Sequence, residues 1–288
     1  MANKAIVLIT GGNTGLGYET VKSLYAESEI PYTILMGSRS LSKAEDAISK
    51  LKSKVPESKS EVLPLQLDIS SDESILAAYQ YVSSKFGIID VLINNAGASI
   101  DPLPDKKDDI TAMRAAWNST YDTNVTGTHI LTHTFVPLIL ASNPNPNPKP
   151  SSSSPPTRRI LFLTSGSTSL TTSSSPTGIQ LLNLDPTSPP PGWPKPVSPT
   201  FVPYRVAKTG LNMLMLHWRK LVQRDGVKVW GVSPGFLATA LGGNAKFLKD
   251  AGGEDAAVGG RFVRGIVEGE RDKDEGKIVK RDGTIQEW

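Results

Sequence analysis

The sequence predicts an α/β fold: a single-domain Rossmann architecture with a doubly wound parallel sheet of about seven strands and helices on both faces. Three observations predict it. Short apolar, β-branched runs alternate with amphipathic helical stretches through short connections, the pattern of crossover βαβ units. The first run opens directly into the glycine turn Gly11-x3-Gly15-x-Gly17. Small or polar residues then stand where the later runs end: Arg39, Asp68, Asn94, Ser165 and Pro234.

Residues 6–9 form a buried strand by length and β-branching, and residues 18–25 a helix with Val21, Leu24 and Tyr25 on one face. The glycines between them let the backbone bend sharply and let phosphate oxygens approach main-chain N–H groups at a helix N-terminus. The expected ligand of the turn is therefore a dinucleotide. The spacing departs from the usual Gly-x-Gly-x-x-Gly, and alone it fits a tight loop equally well.

Residues 33–36 are a second strand, ending at Gly37-Ser38-Arg39. Ser42 and Glu45 form a capping box for a helix running to residue 53. A third strand, 62–67, ends at Asp68, and Ser71 caps a helix whose apolar face carries Ile75, Tyr79, Val82 and Phe86. A fourth strand, 90–93, opens into Asn94-Asn95-Ala96-Gly97. A long helix is expected over 111–141, bent near Pro137. Residues 142–157 are of low complexity, with seven Pro or Asn in the first nine, and read as a mobile surface loop. Residues 159–164 are a fifth strand. The irregular stretch after it, 166–203, is too long to be a simple connection in a compact domain, so it is expected to be functional or disordered. An amphipathic helix over 204–224, a strand over 227–232 ending at Ser233-Pro234-Gly235, a helix over 256–268 and a strand near 276–279 complete the chain. No repeat and no second core is visible, so one domain is expected to span 1–288.

Composition removes several function classes. Net charge is +3 and no run of Lys or Arg exceeds two, which gives nucleic-acid binding no footing. The absence of cysteine excludes disulfides and thiol catalysis. Residues 6–9 are too short for a secretory core, and no stretch approaches the roughly 20 apolar residues that cross a bilayer. The expectation is a cytoplasmic protein with no membrane partner, whose sequons at Asn118 and Asn124 carry no glycan. His129 and His133 have metal-ligand spacing on a helix, but no acidic residue follows His129 and no third ligand is evident, so no metal is expected.

Tyr204 and Lys208 stand at i and i+4 of a helix and share a face. A phenol titrates near 10, and a neighbouring ammonium lowers that value, which makes the pair a candidate general acid/base. Most such pairs are surface pairs. This one follows a long loop, opens a helix, and that helix leads to a strand ending in Pro-Gly. Ser165 lies at a strand end, where open α/β sheets bind ligands. Ser167 and Ser169 are close by, so which serine points inward is open. Asn124 sits mid-helix, where Asn is a mediocre former; it is either inert, a water holder or a local distortion of the helix.

Together, Thr10-Gly11…Gly15-Leu16-Gly17, Asp68, Asn94-Asn95-Ala96-Gly97, Asn124, Ser165, Tyr204-Arg205-Val206-Ala207-Lys208 and Pro234-Gly235 with Thr239 resemble the short-chain dehydrogenase/reductase family over residues 4–240. The tail is similar to its carbonyl-reductase-like branch, as found in fungi and animals. The resemblance implies hydride transfer between a nicotinamide and a carbonyl or alcohol carbon. It implies that Tyr204 gives a proton to the nascent alkoxide, that Ser165 hydrogen-bonds the substrate oxygen, and that Lys208 holds the nicotinamide ribose and lowers the Tyr204 pKa. Asn124 would anchor a water in the proton relay. Asp68 would sit by the adenine, Asn94 by the adenosine ribose and Thr239 by the nicotinamide. Further cofactor contacts are implied for Gly11, Asn13, Thr14, Gly15, Leu16, Gly17, Ile69, Asn95, Ala96, Gly97, Pro234 and Gly235.

Ser38 occupies the place where NAD users carry an acid after the second strand, and Arg39 follows. A 2′-phosphate would meet a hydroxyl and a cation there, so NADP(H) is the expected cofactor. The 38 residues between Ser165 and Tyr204 exceed the usual family length, and such an insertion beside the helix face used for oligomer contacts implies a monomer, testable by light scattering. Trp193 and Phe201 are equally readable as an apolar wall for a hydrophobic carbonyl substrate or as loop anchors. The sequence thus points to an NADPH-dependent ketone or aldehyde reductase. Competing readings are a catalytically idle NADP(H) sensor or scaffold, and a biosynthetic enzyme performing imine reduction or another specialised step.

Overall fold

A computed structural model describes residues 4–101, 109–142, 157–175, 191–193, 201–242 and 245–288. Seven strands form one sheet: β1 (Ala5–Ile9), β2 (Tyr32–Ser38), β3 (Glu61–Gln66), β4 (Val91–Asn94), β5 (Arg159–Leu163), β6 (Lys228–Ser233) and β7 (Ile278–Lys280). Their order is β3-β2-β1-β4-β5-β6-β7, and every neighbouring pair is parallel. All carboxyl ends therefore share one edge. The chain lays β2 and β3 on one side of β1, then crosses to β4 on the other, which opens a crevice between β1 and β4. The helices are α1 (Gly15–Ala26), α2 (Leu41–Lys54), α3 (Asp72–Lys85), α4 (Ile110–Tyr121), α5 (Gly127–Ala141), α6 (Leu170–Ser174), α7 (Val202–Val222), α8 (Ala245–Asp250) and α9 (Ala256–Glu268).

The central strands are largely apolar because both faces are covered, whereas β3 at the sheet edge exposes Glu61 and Gln66. Val7, Ile9, Ile34, Met36, Ile93 and Val232 pack with Val21 and Leu24 of α1, Ile48 and Leu51 of α2, and Val263 and Ile266 of α9. The alternate residues Leu8, Leu35, Leu92, Ile160 and Phe162 pack with Ile75 and Val82 of α3, Leu131 and Phe135 of α5, and Leu211, Met215 and Trp218 of α7. Each such side chain contributes about 1.5–3 kcal/mol by leaving water, and together they hold the strand ends in place.

Local signals set the helix ends with two departures from expectation. Ser71 caps α3, accepting from Ser74 N at 3.2 Å, as its sequence predicts. The predicted box at Ser42 and Glu45 does not cap α2. Ser40, still extended as it leaves β2, accepts from Lys43 N at 3.3 Å, and Ser42 instead hydrogen-bonds the Ser40 hydroxyl at 3.0 Å. The expected continuous helix over 111–141 is also interrupted, and not at Pro137, which lies inside α5. A π-helical turn, Asp122–Thr126, joins α4 to α5. Just after it, a Cβ on Gly127 would run into the carbonyl oxygen of Ile69, so the start of α5 passes the connection after β3 backbone to backbone. The extra residue in the turn rotates Asn124 inward, fully buried.

The short helices α6 and α8 leave no periodic signal in the sequence. Phe201 heads α7 with φ +48°, the one non-glycine residue in the left-handed region among those described, and Pro203 sits in the first turn. Trp193 is 87 % exposed and so does not anchor its loop. Most of 142–157 and of 166–203 lies outside the described residues. Among those described, no helix is long and apolar enough to cross a membrane.

Candidate active site

The glycine turn follows β1 because the chain must reverse from strand to helix without blocking the sheet edge. Gly11 and Gly15 have φ of +62° and +54°, values that side chains resist. A Cβ on Gly17 would strike the Gly11 carbonyl oxygen and lie 2.5 Å from Asn95 Nδ2. Asn95 is the brace of this turn: its Nδ2 donates to Thr10 O (2.8 Å) and Gly11 O (3.1 Å) across the β1–β4 crevice. Thr10 Oγ1 in return accepts from Asn95 N (3.0 Å) and Ala96 N (2.9 Å). Thr14, the residue before α1, gives its helix no side-chain cap, so the first N–H groups of α1 are left to an outside acceptor. A pyrophosphate fits this cradle by charge and by donor geometry. Gly17→Ala is expected to destabilise the fold by about 1–3 kcal/mol through overpacking and to weaken binding of a dinucleotide at this turn. Thermal unfolding and titrations with reduced nicotinamide dinucleotides measure the two effects separately.

Along the same edge, Arg39 is exposed, and its main-chain oxygen accepts from Gln66 Nε2 at 2.7 Å. The Ser38 hydroxyl is committed elsewhere: it donates to Ser40 O (2.9 Å) and accepts from Ser40 N (3.2 Å). It therefore does not face a ligand as the sequence predicts. Asp68 accepts from Ser70 N at 3.0 Å, and Ile69 turns its side chain into the core. Asn94 departs from its expected place by the adenosine ribose. It is 3 % exposed and donates from Nδ2 to Thr132 Oγ1 of α5 at 3.1 Å, because it is the last β4 residue and points into the helical layer.

The reacting half lies at the ends of β4, β5 and β6. Lys208 is 4 % exposed, and its Nζ donates to Leu163 O at 2.7 Å, which aims the amine at the end of β5. Burial pushes its pKa down to about 7. Tyr204 stands one turn earlier, with Lys208 Nζ 5.9 Å from its ring centroid. The Ser165 hydroxyl reaches the phenol and favours its anion, but burial is the larger effect and holds the phenol up at about 12. The expectation is a phenol lowered by Lys208; the net shift is upward, set by burial with Ser165 opposing it. The amine carries only part of its charge near neutral pH, and one of its hydrogens is donated to Leu163 O. Of the three candidate serines, Ser165 is the one beside Tyr204; Ser167 Oγ lies 2.9 Å from Ser165 Oγ. Ser169 is buried and turned away, accepting from Thr172 N at 3.0 Å.

Asn124 closes the site from the π turn. Its Nδ2 donates to Ala98 O and Thr120 O, both at 2.7 Å, and its Oδ1 accepts from Ala98 N at 3.3 Å. A Cβ on Gly97 would lie 2.7 Å from Asn124 Oδ1 and 3.3 Å from Lys208 Nζ, so these three residues converge. Thr239 approaches Gly15, bringing the loop after β6 over the glycine turn. Pro234 O accepts from Arg281 Nε at 3.3 Å, with Gly235 at φ +96° beside it. His129, His133 and His217 are remote from this edge, clustered around Trp218 between α5 and α7. Among the described residues no group of acids and histidines is arranged to hold a metal.

Sequence reasoning misses the layer behind Ser165. Asn212, one turn beyond Lys208, accepts from Thr164 Oγ1 (2.5 Å) and donates to Thr168 Oγ1 (3.0 Å). A polar residue on the buried face of an otherwise apolar helix is the signal that could find it.

The profile of the short chain dehydrogenase family matches residues 5–145. The chain is 43 % identical to the short-chain dehydrogenase/reductase tropE of Talaromyces stipitatus, covering 99 % of this chain and 98 % of that protein. It is 41 % identical to the short-chain dehydrogenase/reductase eupG of a Phoma species, with the same coverage of 99 % and 98 %. Among solved structures, it resembles the NADPH-bound carbonyl reductase from chicken fatty liver, with a TM-score of 0.73, 21 % identity and coverage of 99 % and 100 %. Its backbone is similar to carbonyl reductase Sniffer of Drosophila melanogaster as well, with a TM-score of 0.71, 20 % identity and the same coverage.

Proposed function

The chain belongs to the short-chain dehydrogenase/reductase family, and on that footing we propose that it is an NADPH-dependent reductase of ketone or aldehyde carbonyls, with Tyr204 as the proton donor. One observation carries the reading. A phenol held at about 12 by burial is placed at the carboxyl edge of the sheet with the Ser165 hydroxyl reaching it and Lys208 one turn away. Such a phenol keeps its proton at neutral pH and has it to give. Ser165 and Tyr204 would both hydrogen-bond the carbonyl oxygen, polarising it and orienting the carbon. When bound, the reduced nicotinamide supplies the hydride. Tyr204 then passes its proton to the alkoxide oxygen, and Ser165 holds that oxygen while the charge develops. Lys208 stands ready to hold ribose hydroxyls, with burial excluding competing water. Both Asn124 N–H groups are already donated and its Oδ1 already accepts from Ala98 N, so one remaining lone pair of that side chain is left to hold a water.

NADPH preference rests on Arg39 alone, because the Ser38 hydroxyl is turned into its own chain. A guanidinium pairs strongly with a 2′-phosphate. Arg39→Ala is expected to raise the Kd for NADPH by about ten- to a hundredfold, the worth of one charge-assisted hydrogen bond, and to leave the weak binding of NADH unchanged. An unaltered ratio of kcat/KM for the two nucleotides would refute the assignment.

The reading as a whole is tested by NADPH oxidation against aldehydes, diketones, quinones, bulky aromatic ketones and cyclic imines. Turnover of carbonyls supports it. Tight NADPH binding with no turnover of any class favours a binding-only role, and turnover confined to imines overturns the substrate class.

A further inference from the structure

We propose that Gln286 is a positioning residue for Ser165, so that the segment after β7 sets the hydrogen-bond donor that meets the substrate oxygen; this rests on the reductase reading. Gln286 Nε2 donates to the main-chain oxygen of Ser165 at 3.2 Å and to Thr168 Oγ1 at 3.0 Å, across more than a hundred residues of sequence. Thr168 Oγ1 donates to the same Ser165 oxygen at 2.7 Å and accepts from Asn212 Nδ2 at 3.0 Å.

The protons in this cluster can be assigned. Thr168 has one hydroxyl hydrogen, and it goes to Ser165 O; its lone pairs take Asn212 and Gln286. The Gln286 amide can therefore face this way only with its nitrogen inward. Turned over, it would set an oxygen against two oxygens with no hydrogen between them. The turn that Gln286 grips, 165–168, is the one that orients the Ser165 side chain, whose Oγ accepts from Ser167 N at 3.2 Å. Asn212 ties the same turn to α7, the helix of Tyr204 and Lys208. Gln286 closes that tie from the opposite side.

The segment is itself anchored at both ends. Gln286 N donates to Ile278 O of β7 at 2.9 Å, and Trp288 O accepts from Thr171 N and Thr171 Oγ1, both at 2.7 Å. Gln286 is 6 % exposed, and its Oε1 has no partner among the described residues. Burying half an amide without a partner destabilises a fold. A leucine of similar volume would fill the space without that cost, so packing alone gives no account of the glutamine, whereas aiming a donor at Ser165 does.

The test is a double-variant cycle on the full-length protein, read by kcat on a reduced carbonyl substrate, the Kd for NADPH and Tm. Gln286→Leu is expected to lower kcat about tenfold with NADPH affinity unchanged and Tm not lowered. In a Ser165→Ala background the same change is expected to cost nothing further, because the residue acts through the serine. Gln286→Glu is expected to lose at least as much at neutral pH and to recover as the pH falls, since only the protonated carboxyl can donate to Ser165 O. Multiplicative losses in the double variant, an unchanged kcat in Gln286→Leu, or a variant that loses its fold or NADPH binding would each overturn the proposal. The two levels separate cleanly. If Ser165→Ala turns over like the wild type, the reductase reading of the site fails. If Ser165→Ala is impaired and Gln286→Leu is not, only the positioning role fails.

Discussion

Tyr204→Phe is expected to lower kcat for carbonyl reduction by about 10³-fold or more while leaving the Kd for NADPH and Tm near their wild-type values. The substitution removes one oxygen and keeps the ring, so the packing at the head of α7 is preserved. What disappears is the proton. The alkoxide that forms beside Ser165 is then left with a hydrogen-bond donor that can hold it but is far too weak an acid to neutralise it. Because that loss falls on the transition state alone, kcat and kcat/KM should drop together. Turnover that survives in the variant would mean that another group delivers the proton.

The same phenol fixes a pH dependence. Burial outweighs the Ser165 contact and holds Tyr204 at about 12, so the group is protonated throughout the neutral range. Reduction needs the phenol and alcohol oxidation needs the phenolate. To the extent that Tyr204 limits the rate, reduction by the wild type should be insensitive to pH around neutrality, whereas oxidation of the product alcohol should climb as the pH rises towards 12. Initial rates in both directions across the pH range decide this, and the climb should vanish in Tyr204→Phe.

How much of this is legible in sequence depends on whether the controlling physics is local. The strands are readable because both faces of the sheet are covered, which turns each one into an apolar run ending at a polar or small residue. Ser71 is readable as a cap because capping acts over three residues. The capping box at Ser42 misleads because a second serine, Ser40, is equally good and sits closer to where β2 must end. The interruption between α4 and α5 is invisible because nothing in the local pattern marks it, and the close approach of Gly127 to the carbonyl of Ile69 involves a distant segment of the chain. The positions of Tyr204, Lys208, Asn124 and Ser165 follow from topology, since parallel strands bring their ends to one edge. Their ionisation does not follow. Sequence spacing suggests an ammonium acting on a phenol, whereas burial works against the charged form of both. Gln286 and Thr168 are unreadable for the same reason as Gly127: their role exists only where a distant segment folds back onto the serine turn.

Lys208→Met is expected to reduce kcat/KM with NADPH by about 10²-fold or more and, in the same experiment, to reveal the cost of burying the lysine. Its folded pKa of about 7 lies below the ordinary value of 10.5, so folding disfavours the protonated form. Between those two values the unfolded chain binds more protons than the folded one, and the stability contributed by this group therefore rises with pH across that window. Below pH 7 the full penalty is present; above 10.5 it is absent. At about 1.4 kcal/mol per unit of pKa, the shift corresponds to several kcal/mol. Methionine fills similar space and has nothing to titrate. The difference in Tm between Lys208→Met and the wild type should accordingly be most favourable to the variant near neutral pH and should shrink as the pH is raised towards 10, with effects common to both proteins cancelling. A difference that stays constant over that range would show that the amine is charged in the folded state, held so by Leu163 O at 2.7 Å. Tyr204 would then have a full positive charge beside it, and its phenolate would come into reach at lower pH than burial alone allows.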